Sequence, residues 1–165
     1  MTSRTCLSFA GGLALAFTTA WVAPASAQEA RPDDVESIDA IIEAYYDVIS
    51  GPAGERPDVA RDQSLHHPDA WVSIASTASD GSRTVRVMSL ADYHGTGAPR
   101  ELPFYEWETD RVVQRSGDMV HVWSHYASSR EPDGEVFDTG VNSITLFHDG
   151  HRWWVMGWMF DQTAN

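Results

Sequence analysis

Apolar side chains recur along this chain first at the spacing of a helix and later at the spacing of strands. On a wheel of about 100° per residue, Val35, Ile38, Ile41, Ile42, Tyr45 and Ile49 form one stripe flanked by Tyr46 and Val48. That stripe predicts a helix from Asp33 to Ser50, stopped by Gly51-Pro52, with Asp47 on the opposite face toward water. A Gly/Pro-rich connection from Gly51 to Pro57 leads to a short helix over Asp58 to Leu65, and His66-His67-Pro68-Asp69 turns the chain into strands. Period-two runs predict strands over 70–76 and 84–89, joined by an Asp80-Gly81 turn. Ser89 and Asp92, three apart, make a capping box that opens a third short helix, ended by Gly95, Gly97 and Pro99. Stretches 104–115, 119–129, 139–148 and 152–161 then read as an antiparallel meander with turns at Ser116-Gly117, Asp133-Gly134 and Asp149-Gly150. Helices first and strands second is an α+β order.

The segment ahead of this pattern predicts a destination. Arg4 precedes an apolar run from Leu7 to Val22 and a small-residue tail ending in Ala25-Ser26-Ala27. These are the parts of a secretory signal peptide, so residues 1–27 are expected to be a cleaved leader and residues 28–165 a single exported domain, periplasmic or extracellular. The run is shorter than the roughly 20 residues that span a bilayer, so no membrane attachment is expected after cleavage. Cys6, the only cysteine, would leave with the leader; the domain then holds no disulfide and no thiol nucleophile.

Charge and composition remove whole classes of function. The chain has 11 basic and 24 acidic residues, a net charge of −13; without Arg4 the balance is 10 − 24 = −14. Such a field repels phosphate backbones and anionic lipid surfaces, so neither nucleic acid nor membrane is an expected partner. Every basic residue is arginine, which excludes Schiff-base or other lysine chemistry. His121 and His125 would be about 13 Å apart on a strand, too far to share an ion. No phosphate-cradling glycine loop or Gly-x-Ser-x-Gly elbow occurs, and neither metal nor cofactor is expected.

Turn chemistry predicts which side chains meet. Asp149-Gly150, taken as a two-residue type I′ turn, pairs His148 with His151, Ser143 with Met156 and Val141 with Trp158. One face then carries Ser143, Trp154, Met156, Trp158 and Phe160, and the other carries Ile144, Leu146, Trp153 and Val155. Ser116-Gly117, taken the same way, sets Val112 against His121, Asp110 against Trp123 and Glu108 against His125. Opposed residues have Cβ atoms about 5 Å apart. Glu106, Glu108, Asp110, His121, Trp123 and His125 then share one face, and a carboxylate beside an imidazole is an acid–base pair.

The helix ending near Gly51, the phrase His67-Pro68-Asp69-Ala70 and the closing Asp149-Gly150-His151-Arg152-Trp153-Trp154 hairpin resemble the nuclear transport factor 2-like superfamily, which includes ketosteroid isomerase and scytalone dehydratase. The resemblance implies N-terminal helices packed in a strongly curved, mostly antiparallel sheet, a cystatin-like cone with a pocket between helix and sheet. It also implies that the Trp154-to-Phe160 face and the Glu108/His125 face point into that pocket. The isomerase's catalytic Asp and oxyanion-hole acid fall here on Ile74 and Ser143, and only its helix tyrosine is matched, by Tyr45.

Three readings follow. The first is an exported binding module for a small apolar or aromatic molecule. The second is a cofactor-free lyase or isomerase, with His125 as base, Glu108 orienting it and Tyr45 or Ser143 donating to a developing oxyanion. The third is a pocketless dimeric scaffold built on Ile144, Leu146, Trp153 and Val155. A homodimer is expected because both faces of the last hairpin are apolar.

Overall fold

The stretch expected to be one helix is two. A computed structural model describes residues 29–163, so the expected leader lies outside the described residues. Pro32 opens a short helix, α1 (Pro32–Val35), at the position where its missing N–H costs nothing. Ser37 then adopts an extended backbone and accepts the Ala40 N–H at 3.0 Å, starting α2 (Ile38–Ile49) afresh. Ile41, Ile42, Ala44, Tyr45, Tyr46 and Val48 of α2 are buried, and Asp47 is exposed. Asp58 caps α3 (Val59–Leu65) by accepting the Arg61 N–H. The Arg61 guanidinium forks onto both carboxylate oxygens of Asp34 at 2.8 Å and also reaches Asp47, tying α1, α2 and α3 together.

Strands β1 (His66–Thr77) and β2 (Arg83–Ser89) precede α4 (Leu90–His94), which Ser89 caps as expected. Strands β3 (Tyr105–Ser116), β4 (Met119–Ser129), β5 (Val136–His148) and β6 (Trp153–Thr163) complete a single sheet in the order β2-β1-β6-β5-β4-β3. Only β1 and β6 run parallel. The sheet is curled and unclosed, with α2 against its inner face. Between them lie the fully buried Ile41, Val72, Val120, Val122, Ile144, Leu146 and Val155. Burying each such side chain contributes about 1.5–3 kcal/mol, enough to hold a domain whose described part contains no cysteine.

Both tight turns sit one residue later than the sequence predicts. Ser116 pairs with Met119 and Asp149 with Arg152, so the central residues are Gly117-Asp118 and Gly150-His151. Each glycine has positive φ (61° and 96°) and the residue after it does not, which is the type II′ arrangement. Moving the turn by one residue moves every partner by two and so preserves which faces match. Two bulges do not preserve them.

In β3 the pairing runs Asp110 to His125 and then Glu108 to Tyr126, leaving Thr109 without a partner. In β6 it runs Val155 to Leu146 and then Gly157 to Thr145, leaving Met156 without one. Each extra residue swaps the faces beyond it. Trp158 and Phe160 therefore face inward with Trp153 and Val155, while Trp154 lies on the outer face opposite Phe147.

Candidate functional site

The inner face of the curled sheet and the helices enclose a cavity of about 510 Å³. Tyr45 from α2, Tyr93 from α4, Phe104, Phe137, Tyr126 from β4, and Trp158 and Phe160 from β6 supply seven aromatic rings to its wall. Trp158 is the centre of this cluster. Tyr93 stands edge-on to it at 4.9 Å, Tyr45 edge-on at 6.0 Å, and Phe160 stacks on it at 5.6 Å between ring centroids. The indole N–H of Trp158 is buried with no hydrogen-bond partner among the described residues. Gly140 makes room for the ring opposite it, because a Cβ there would sit inside the Tyr126 side chain.

Two carboxyl groups give this wall its chemistry. Glu106 reaches in from β3 and accepts from Ser128 Oγ at 2.9 Å and from Asn142 Nδ2 at 3.4 Å. Burial pushes its pKa up to about 7, the two neutral donors offset only part of that, and Asp138 adds to the rise. Asp62 of α3 behaves in the opposite way. Burial pushes its carboxyl up, but contact with the imidazoles of His66 and His94 outweighs that and holds it at about 2. His66 Nδ1 lies 2.8 Å from the Asp62 carbonyl, and His94 Nε2 lies 2.7 Å from Asp62 Oδ2. The His94 contact is off the axis of the N–H bond, so it is an electrostatic contact more than a hydrogen bond. Tyr45 is fully enclosed, and its hydroxyl is pushed well above the usual tyrosine range by burial, so it remains a proton donor.

The expected acid–base pair does not form. The Thr109 bulge turns Glu108 inward and leaves His125 on the outer face opposite Asp110. Glu108 is instead a structural anion. It accepts from Arg111 Nε at 2.7 Å and from Ser124 Oγ, and Ser124 continues through Tyr46 Oη to Asn142. Arg111 also bonds Asp39 of α2, so this network fixes the helix to the sheet edge.

His121, Trp123, Asp110 and Ser143 also lie on the outer face, where His121 Nε2 is 2.9 Å from Ser143 Oγ and Trp123 is 45% exposed. Trp154 shares that outer face, and Met156 occupies the bulge. Of the expected site residues, Tyr45, Glu106, Trp158 and Phe160 line the cavity, and Ile74 packs beside Phe160 on the inner face. Ile144, Leu146, Trp153 and Val155, expected as an interface between copies, are instead buried beneath the chain's own helices.

Asp62, His94, Tyr93, Tyr126 and Asn142 are not among the expected site residues, although the sequence carries signals for one of them, Tyr126. An aliphatic-and-small alternation, Val120-Val122-Ser124-Tyr126-Ser128, marks the true inner face of β4. An isolated glycine within a strand, as at Gly140 and Gly157, marks a bulge or a close approach.

No family model matches the chain, and no curated protein matches it. Solved structures do resemble it. The β subunit of a candidate aromatic-ring-hydroxylating dioxygenase from Novosphingobium aromaticivorans superposes with a TM-score of 0.51 at 13% identity, over 76% of this chain and 86% of that one. A candidate ketosteroid isomerase from Parabacteroides distasonis gives 0.49 at 13% identity over 82% and 94%. A nuclear transport factor 2-like protein from Cytophaga hutchinsonii gives 0.46 at 16% identity over 63% and 81%. At these identities the likeness is one of fold, and a shared fold does not carry an activity with it.

Proposed function

We propose that this chain, which has the nuclear transport factor 2-like fold, is an exported binding protein that takes a small molecule with an apolar or aromatic body into its cavity. The observation that carries the reading is the cavity itself: about 510 Å³, walled by seven aromatic rings together with eight polar or charged side chains. Ligand sites combine apolar walls for affinity with polar groups for orientation, and here the polar share is large. Native mass spectrometry of protein purified from its own host's envelope, together with a thermal-shift panel of small aromatic compounds, tests it. A co-purifying small molecule, or a compound that raises the melting temperature in proportion to its concentration, supports the reading. A bare chain that no compound stabilises rejects it.

Glu106 favours a second reading, a cofactor-free lyase or isomerase. A carboxyl near half ionisation at neutral pH, held beside a cavity, is a competent proton acceptor and donor. It takes the place that the sequence had assigned to His125. Under this reading Glu106→Gln abolishes turnover and leaves ligand affinity intact.

The expected homodimer is retained as a proposal but placed on a different surface. The outer face of the sheet carries Trp71, Val87, Val112, Trp123 and Met159, all exposed. Among its central residues, Ser143, Thr145, His121 and Trp123, there is no carboxylate. A chain this acidic can meet its own copy only where like charge is sparse.

A further inference from the structure

We propose that the ligand of this cavity is an organic cation, an aromatic or alicyclic molecule bearing an ammonium group, held by the Glu106 carboxylate and the aromatic wall. The inference rests on the binding reading above and narrows it to a ligand class.

The chain sets a basic side chain beside each of its other buried carboxyls named above. Glu108 has Arg111, Asp34 has Arg61, and Asp62 has His66 and His94. Glu106 is the exception, for its partners are the neutral Ser128 and Asn142, and no arginine or histidine among the described residues pairs with it. A carboxylate withdrawn from water with only neutral donors is under-compensated, and a cation arriving beside it corrects that.

The wall suits the same guest. Tyr45, Tyr126, Phe104 and Trp158 share the cavity with Glu106, and ring faces attract ammonium groups within about 6 Å. At the rim the chain already stands one of its own cations on a ring. The Arg130 guanidinium carbon lies 4.1 Å from the Phe137 centroid, with Nη1 donating to the Pro103 carbonyl at 3.0 Å. The exposed Asp138 and Asp161 also line the cavity, so with Glu106 and Asp62 a guest meets four carboxyl groups against the single guanidinium of Arg130, and an incoming cation is drawn inward.

The test compares benzyltrimethylammonium with its uncharged carbon isostere neopentylbenzene and with phenylacetate. Tryptophan fluorescence follows binding at pH 8, where Glu106 is ionised. The ammonium is expected to bind at least about tenfold more tightly than the isostere, and phenylacetate least. Glu106→Gln is expected to remove that tenfold advantage and to change isostere affinity by no more than about twofold.

Equal or tighter binding of the isostere, or an ammonium preference unchanged in Glu106→Gln, overturns the assignment while leaving the binding reading in place. Failure of every probe to bind overturns both. The wild-type comparison needs no substitution, so a Glu106→Gln protein that misfolds leaves the outcome decided by the three probes.

Discussion

Glu106 and Asp62 should give the protein opposite responses to pH, because their environments shift them in opposite directions. Glu106 is raised to about 7 by burial, so the folded state holds its proton more tightly than the unfolded chain does. Its contribution is fully present below the ordinary carboxylate range and is lost as pH rises toward and through 7. The effect is up to about 3 kcal/mol, at 1.36 kcal/mol per unit. In the absence of ligand, denaturant midpoints should therefore fall between pH 5 and pH 8, and Glu106→Gln should flatten that fall and be the more stable protein at pH 8. A wild-type profile that is flat across this window contradicts the assignment.

Asp62 is held at about 2, so its contribution is present above the ordinary value and is lost as pH falls toward 2. Asp62→Ala removes the carboxylate that both imidazoles contact and leaves buried ring nitrogens unpaired, and should cost about 1–3 kcal/mol in equilibrium unfolding at pH 7. Neither environment was legible in the sequence. The sequence showed Glu106 as one acid in an acidic strand and gave no sign that His94, near the end of α4, would meet Asp62 on α3.

At the scale of elements, the sequence showed where strands and helices lie but not how adjacent strands are phased. The apolar stripe of α2, the Ser89 cap and all six strands were readable, because period and capping chemistry are local. Phase depends on single residues. The Thr109 and Met156 bulges each insert one, and each sends the side chains beyond it to the other face. That is why His125 and Ser143 were expected inside and lie outside, while Trp158 and Phe160, beyond their bulge, face the cavity.

The cavity wall itself depends on a glycine. Gly140 faces Tyr126 closely enough that a methyl group would overlap the phenol. Gly140→Ala should displace the Tyr126 ring into the cavity, costing about 1–3 kcal/mol in denaturant unfolding and weakening ligand binding. Gly150→Ala, where nothing lies within 4 Å, should lose stability only through its positive φ and leave binding unchanged. A Gly140→Ala protein with wild-type affinity and stability would show that the Tyr126 wall yields without cost.

Across the whole molecule the curl of the sheet produces two surfaces of opposite character, and charge decides what each can meet. The inner surface is closed by the helices and keeps one uncompensated carboxyl beside aromatic rings. The outer surface carries a band of exposed apolar side chains from Val87 on β2 through Met159 to Trp123 and Val112. Ser73 and Ser143 stand between these side chains in the register, so the row is neutral and only partly apolar. With a net charge of −13, two copies repel at most orientations, and the neutral band is where they can approach. A dimer formed there should have a mass twice that of the chain by light scattering. Its dissociation constant should fall as salt rises, because screening weakens the residual repulsion while apolar burial persists.

Trp123→Glu places a carboxylate in the centre of the band and should yield a monomer whose cavity still binds its ligand, since Trp123 faces away from the cavity. A Trp123→Glu protein that remains dimeric would move the interface elsewhere, and a wild-type protein that is monomeric at every salt concentration would leave the band for a different partner.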